Sequence, residues 1–143
     1  MVMTKTPNII IKNLQKKISI SPIRIKKAIL NAILKEGVKK SGEITVCFVT
    51  DAQIKKLNVK FLKHNRPTDV ISFDISNDPN KFIADIAVST DTAIRNSKAY
   101  HTTPRQELLL YAIHGILHLI GYNDSTAPQR AIMRRKESLY GHP

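Results

Sequence analysis

The chain has 143 residues, of which 42% are hydrophobic, and this length and composition suit one globular domain with a buried core. Its formal net charge is +12 at pH 7, and so large a positive excess attracts polyanions such as nucleic acid. The single cysteine, Cys47, excludes an internal disulfide and is interpreted as a small buried hydrophobic residue. The apolar runs are too short for a membrane span, and we expect one domain, 1–143, in the cytoplasm.

The first half of the chain is predicted to contain two strands and two helices. Ser21 before Pro22 marks one helix start and Thr50 marks the other, because a hydroxyl can accept a hydrogen bond from the first helical turn. Runs of β-branched residues favour the strands. The predicted elements are a strand at 9–11, a helix from Ser21 to a stop at Gly37, a strand at 43–50 and a helix at 51–62.

The second half is predicted to add two strands and three helices. The strands are predicted at 69–75 and 82–89, and the helices at 90–99, from Pro104 onwards, and at 128–140. The loops that remain are 63–68 and 76–81. These elements predict an α+β fold: a small mixed sheet of about four strands, packed with about five helices.

The helix that begins at Pro104 contains a metal-ligand pattern, H-x-x-x-H-x-x-G-x-x-D, formed by His114, His118, Gly121 and Asp124. Residues four apart lie on the same face of a helix, so the two imidazoles can bind one ion. Gly121 can end the helix in a left-handed conformation, and the reversed chain then brings Asp124 back as a third ligand. Three ligands with a fourth position open are typical of a catalytic zinc, which predicts one Zn²⁺ per chain.

Gly115 sets this pattern apart from that of the metzincin proteases. Those enzymes have the same spacing, but a Glu directly after the first His acts as the general base. Glycine has no group that accepts a proton, so the pattern disfavours peptide hydrolysis. The alternative that His114 and His118 are ordinary core histidines is disfavoured by the Gly and the carboxylate that follow at the right spacing.

The positive charge is concentrated near the N-terminus. Residues 1–40 contain ten basic side chains and a single acid, Glu36, for a net charge of +9, whereas residues 41–143 contain 13 basic and 10 acidic side chains. A solvated lysine-rich surface is the simple interpretation. Combined with a hydrolytic metal site, the charge favours a nucleic-acid substrate or a ribonucleoprotein partner.

Two segments resemble the YbeY family of bacterial metal-dependent endoribonucleases, also called rRNA maturation factors. The first is HGILHLIGYND, from His114 to Asp124, and the second is PTDVISF, from Pro67 to Phe73, preceded by Leu57-Asn58. The resemblance implies a zinc-dependent cleavage of single-stranded RNA. It also implies maturation of rRNA at the 3′ end of 16S rRNA and quality control of the ribosome or its small subunit, with these RNAs and particles as partners.

The chain departs from the family pattern at four positions, two of which concern chemistry. The usual third His is Asp124, whose carboxylate is an acceptable zinc ligand. The usual loop arginine is replaced by Leu62, which cannot stabilise charge on a phosphate. Arg66 and Lys63 lie in the same loop, and we predict that they supply the catalytic cation. Asp85 is a candidate for orienting a metal ligand, although an Asp on a strand edge is equally often a structural cap. The other departures, Ala84 and Asp74, are expected to leave the fold intact.

Three hypotheses follow from the sequence. The first is a zinc endoribonuclease of the YbeY type. The second is a ribosome-associated assembly factor with a mainly structural metal and weak hydrolysis, favoured by the missing loop arginine. The third is a zincin-type metalloprotease relative, disfavoured by Gly115.

Overall fold

A four-stranded sheet forms the centre of the molecule. The structure is a computed structural model and describes residues 5–62 and 69–141, without the side chains of residues 61 and 62. The sheet has the order β1-β2-β4-β3. The strands β1, β2 and β4 are parallel, and β3 pairs with β4 in the antiparallel sense. Their bounds are β1 Asn8–Asn13, β2 Ser41–Val49, β3 Val70–Asp74 and β4 Lys81–Ser89.

Five α-helices in the described residues connect and cover these strands. Their bounds are α1 Pro22–Lys35, α2 Asp51–Leu57, α3 Thr90–Tyr100, α4 Pro104–Leu119 and α5 Ala127–Tyr140. A π-helical turn, Asn58–Leu62, follows α2. Among the described residues, no helix is both long enough and apolar enough to cross a membrane.

Hydroxyl side chains define where the helices begin. Ser21 accepts a hydrogen bond from the backbone N–H of Arg24 and so caps α1. Thr50, Thr103 and Thr126 each form a capping box with a glutamine three residues later, at the starts of α2, α4 and α5. Each box satisfies two backbone N–H groups that a helix end would otherwise leave unpaired.

The main core lies between one face of the sheet and the helices α1 and α4. Every second residue of β4 contributes to it, because successive side chains of a strand point to opposite faces. The residues of that face are Phe82, Ala84, Ile86 and Val88, all buried. A smaller core on the other face contains Ile54 of α2 and Ile71 of β3.

The predicted fold class is confirmed, with four strands and five helices in the described residues. The prediction of one regular helix at 51–62 was wrong at its end, where the chain changes to a π-helical turn at Asn58. Cys47, interpreted as a buried hydrophobic residue, is only half-buried. The predicted loop at 63–68 lies outside the described residues.

Candidate metal centre

The helix α4 presents His114 and His118 on one face, near its C-terminal end. Thr103 caps the helix and Pro104 occupies its first position, where a missing N–H is harmless. Gly115 lies on a neighbouring face of the helix, against the sheet. A Cβ atom at this position would lie 2.9 Å from Cγ2 of Ile86 and 3.3 Å from Cγ2 of Val70. The glycine therefore lets α4 approach the sheet closely, and this close packing fixes the direction of the two imidazoles.

The chain reverses immediately after α4, as the sequence predicts. Gly121 has φ +112°, a conformation that an L side chain rarely adopts. The backbone N–H of Gly121 donates to the carbonyl of His118 at 3.1 Å, and that of Tyr122 donates to the carbonyl of Leu117 at 3.0 Å. These bonds satisfy the last carbonyls of the helix and direct residues 122–124 back along it.

His114, His118 and Asp124 converge on one point and form a group able to hold a metal. The two Nε2 atoms are 3.0 Å apart. Oδ2 of Asp124 is 3.5 Å from Nε2 of His114 and 3.4 Å from Nε2 of His118. Three donor atoms that each lie about 2.0–2.1 Å from a tetrahedral zinc are separated by roughly 3.3–3.4 Å, so the observed triangle fits this ion closely.

The candidate ligands remain partly open to solvent. The exposed fractions of their side chains are 23% for His114, 29% for His118 and 44% for Asp124. A structural zinc is usually enclosed by four protein ligands, whereas this group offers three and an open side. The arrangement therefore leaves room for water or a substrate oxygen.

Glu137 of α5 orients His114 through Nδ1, the ring nitrogen that does not face the other candidate ligands. Its Oε1 accepts a short hydrogen bond from Nδ1 of His114, and the Glu137 side chain is only 16% exposed. A proton held on Nδ1 leaves the Nε2 lone pair facing the other candidate ligands, which is the tautomer that a metal requires. Burial alone would lower the pKa of His114, but the hydrogen bond and charge of Glu137 outweigh it and raise that pKa. Nothing in the sequence indicated this role for Glu137 beyond its place on a predicted helix near the motif.

A cavity of about 450 Å³ adjoins His114. Its polar lining includes Asp69, Asn96, Glu107 and Glu137, and Tyr111 forms part of its wall. The amide of Asn96 donates to the hydroxyl of Tyr111 at 2.6 Å. The cavity therefore lies along α3 and α4, beside the pair of His114 and Glu137.

The position that would bear the base of a metzincin protease is buried. Gly115 lies against Ile86, so a side chain there would project into the sheet and force these atoms apart. The close packing of α4 against the sheet therefore leaves no space for a carboxylate at residue 115. The geometry gives the protease hypothesis no support.

Of the other predicted site residues, two lie outside the described residues and one faces away from the metal centre. Lys63 and Arg66, the predicted catalytic cations, lie outside the described residues. Asp85, considered as a partner that might orient a ligand, is exposed on the sheet face opposite Ile86 and so faces away from the metal centre. That interpretation was wrong, because strand alternation places residues 85 and 86 on different faces; Glu137 has this position instead.

Arginines of α5 lie near the metal loop, which we define as Gly121–Asp124. Arg130, Arg134 and Arg135 are exposed. Nη1 of Arg130 donates to the carbonyl of Asp124 at 3.3 Å and to that of Ser125 at 3.2 Å. Arg130 therefore holds a positive charge beside the backbone of the third candidate ligand.

Comparison with known proteins identifies relatives along nearly the whole chain. The family model described as endoribonuclease YbeY matches residues 10–142. An endoribonuclease YbeY from Chloroherpeton thalassium is 39% identical over 118 residues, which are 82% of each chain. One from Syntrophus aciditrophicus is 34% identical and covers 94% of this chain and 91% of its own.

A solved structure agrees with the sequence relatives. The solution structure of a Thermotoga maritima protein matches with a TM-score of 0.61 and 26% identity, over 95% of this chain and 87% of that chain. The predicted resemblance is thus confirmed by both sequence and fold. The candidate ligands, the helix that bears them and all but the first two residues of the sheet fall within the residues that the family model matches, and this chain belongs to the endoribonuclease YbeY family.

Proposed function

We propose that this chain is a zinc-dependent endoribonuclease that cleaves single-stranded RNA. Its proposed role is rRNA maturation at the 3′ end of 16S rRNA, together with quality control of ribosomes in the cytoplasm. The observation that supports the proposal most strongly is the triangle of His114, His118 and Asp124, whose spacing suits zinc in a chain related to endoribonucleases.

Each residue of the centre has a distinct proposed role. His114, His118 and Asp124 would hold the zinc, which when bound would polarise a phosphoryl oxygen and lower the pKa of its water. Glu137 keeps the proton of His114 on Nδ1. Asp124 adds a negative charge that a third histidine would lack, so this centre is less electrophilic than a three-histidine one.

The phosphate requires a cation that the three candidate ligands do not provide. Arg66 and Lys63 are proposed for this role from the sequence, because they follow Leu62 in the loop where the family has its arginine. We favour Arg66, because a guanidinium can hold a phosphate through two hydrogen bonds. The exposed lysines of the N-terminal region, such as Lys16 and Lys26, would add affinity for RNA without sequence preference.

The test is cleavage of a single-stranded RNA and of a duplex with the same sequence. We expect the parent protein to cleave the single strand, to lose activity with a chelator and to regain it with zinc. His118→Ala should be inactive under all these conditions. Cleavage that survives both the chelator and His118→Ala would contradict the proposal.

The second candidate function keeps the metal and lacks most of the hydrolysis. Leu62, in place of the family arginine, is the observation that favours a ribosome-associated assembly factor. A protein that binds zinc, associates with the small ribosomal subunit and does not cleave RNA would establish this alternative in place of the first.

A further inference from the structure

Glu36, the single acid among the first 40 residues, accepts hydrogen bonds from three side chains of distant segments. Its side chain is 9% exposed and lies at the C-terminal end of α1. The hydroxyls of Tyr122 and Tyr140 donate short hydrogen bonds to it, and Nζ of Lys136 lies 3.0 Å from its Oε2. These four residues are called the Glu36 cluster below. A carboxylate so enclosed must keep its partners, because an unpaired buried charge is strongly unfavourable.

The partners of Glu36 belong to the two segments that complete the metal centre. Tyr122 lies in the metal loop, two residues before Asp124. Lys136 and Tyr140 flank Glu137 on α5, which accepts the hydrogen bond from His114. One carboxylate on α1 therefore contacts both the loop that provides the third candidate ligand and the helix that orients the first.

Tyr122 anchors the metal loop to Glu36, and Arg130 of α5 holds the backbone carbonyl of Asp124. The Asp124 side chain is 44% exposed, and the helical hydrogen bonds of α4 end at Tyr122, whose N–H donates to Leu117. The phenol of Tyr122 extends from this point to Glu36, and Nζ of Lys136 lies 5.8 Å from the centre of the same ring. The ring of Tyr122 is thus fixed at its hydroxyl and at its face.

We propose that Glu36 is a positioning residue of the metal centre: through Tyr122 it fixes the loop that bears Asp124, and through Lys136 and Tyr140 it fixes the helix that bears Glu137. The inference rests on the proposed function, because it assumes that the three candidate ligands bind zinc. Glu36 itself does not touch the metal position. Its effect is to hold the ligands in place before the ion binds, which raises affinity by reducing the ordering that binding requires.

The test is zinc affinity, measured by competition with a chromogenic chelator. Glu36→Gln leaves a single acceptor oxygen for three donors and places an amide against Lys136. Loss of a partner that bonds directly to a ligand commonly weakens metal binding by about 10- to 100-fold. Glu36 acts through residues next to the ligands, so we expect a loss near the lower end of this range. Amide hydrogen exchange of residues 120–126 in the metal-free protein should become faster.

Asp51 offers a matched control whose side-chain donors belong to β4 and α3 instead of to the metal loop and α5. It is also a carboxylate with three side-chain donors, namely Ser89, Thr92 and Arg95. Asp51→Asn should lower the melting temperature while leaving zinc affinity and the exchange of residues 120–126 as in the parent. Equal losses of zinc affinity in Asp51→Asn and Glu36→Gln would show a general loss of stability and would overturn the inference.

A second pair of variants tests the inference if Glu36→Gln does not fold. Tyr122→Phe and Tyr140→Phe each remove one hydroxyl from Glu36 and keep the ring. Tyr122→Phe should weaken zinc binding more than Tyr140→Phe, because only Tyr122 lies in the metal loop. Parent-like affinity in Tyr122→Phe would overturn the inference while the proposed function stands, whereas a parent protein that binds no zinc would overturn both.

Discussion

Two carboxylates in this molecule have nearly the same chemistry and different surroundings. Glu36 and Asp51 each accept hydrogen bonds from three side chains, one of them cationic. Burial alone would raise the pKa of each, but the hydrogen bonds outweigh burial and hold both pKa values below the ordinary range. The donors of Asp51 lie 38 to 44 residues away along the chain, whereas those of Glu36 lie 86 to 104 residues away.

The difference shows that the role of a partly buried carboxylate depends on the segment that bears its hydrogen-bond donors. Ser89, Thr92 and Arg95 belong to the end of β4 and to α3, which are regular elements with their own hydrogen bonds. Together with Asp51 they form what we call the Asp51 cluster. The Glu36 cluster includes Tyr122, which lies in an irregular loop. The Asp51 cluster therefore joins elements that are already ordered, whereas the Glu36 cluster orders a loop with a proposed ligand.

The largest expected difference is in zinc content, between a variant of the metal centre and a variant of the Asp51 cluster. We expect about one zinc per chain in the purified parent protein, because the centre has three ligands and an open position. His118→Ala removes one ligand and should abolish this occupancy. Arg95→Ala, which disrupts the Asp51 cluster, should keep full occupancy. Elemental analysis of the three proteins makes the comparison, and full zinc in His118→Ala would disprove the ligand assignment.

The next largest expected effect is on the rate of RNA cleavage when the proposed catalytic cation is removed. This cation must come from a segment that reaches the metal centre. Arg66→Ala should lower cleavage of single-stranded RNA by about 10²- to 10³-fold, the usual cost of losing one charge contact in a transition state. Zinc content should not change, because Arg66 is not a proposed ligand. Leu62→Arg, which restores the family residue, should raise the rate. Initial rates with saturating zinc provide the measurement.

Arg130→Ala is the matched control for Arg66→Ala. Arg130 is an exposed arginine whose Nη1 already donates to the carbonyls of Asp124 and Ser125. A rate that falls in Arg130→Ala and not in Arg66→Ala would assign the cation to α5 instead of the loop. If neither variant changes the rate, the assembly-factor alternative gains support.

Glu137 should have an intermediate effect. Glu137→Ala leaves Nδ1 of His114 without its acceptor, so the imidazole loses its orientation and its preferred tautomer. We expect zinc affinity to fall by about 10- to 100-fold, with Glu137→Gln between this variant and the parent. Asp91→Asn serves as the control, because Asp91 accepts from Lys17 at 2.6 Å and from the N–H of Asp51 at 2.8 Å, in contact with the Asp51 cluster. An equal fall in Asp91→Asn would contradict a specific role for Glu137.

The sequence predicted those parts of the molecule that depend on local chemistry. The helix starts at Ser21, Thr50 and Pro104 follow from capping and proline geometry, and the structure has them where they were predicted. The convergence of His114, His118 and Asp124 follows from helix periodicity and from the conformation that Gly121 adopts. These features need only residues that are close together along the chain.

Contacts between distant segments were not predictable in the same way. Glu137 and Glu36 were each visible only as an acid on a helix, because their partners lie 23 and at least 86 residues away. The wrong expectation for Asp85 has the same cause, since the sheet face that a strand residue occupies depends on which side α4 covers. Gly115 likewise indicated only a missing base in the sequence. Its packing against Ile86 depends on how α4 lies on the sheet, which the sequence does not show.

The smallest predicted effect is a pH dependence of stability, and we expect it from both the Glu36 cluster and the Asp51 cluster. The ordinary pKa values are 4.5 for Glu36 and 3.8 for Asp51, and both are lowered in the folded chain. As the pH falls below these values the unfolded chain takes up protons first, so the free energy of unfolding decreases until the folded carboxylates are protonated as well. The stabilisation is fully present above pH 5 and is lost as the pH falls through the lowered pKa values. Glu36→Gln and Asp51→Asn should each reduce this dependence.

Urea unfolding of the metal-free protein between about pH 6 and pH 3 measures this dependence, and one proton contributes at most about 1.4 kcal/mol per pH unit. Groups whose surroundings are the same in all three proteins contribute equally and cancel when each variant is subtracted from the parent. We expect similar differences for the two variants, because both carboxylates are stabilised by three hydrogen bonds. Equal acid sensitivity combined with unequal zinc affinity would separate the two roles. A pH dependence that Glu36→Gln leaves unchanged would show that the pKa of Glu36 is the same in the folded and unfolded chains, and the hydrogen bond from Tyr122 would then not stabilise the charged carboxylate.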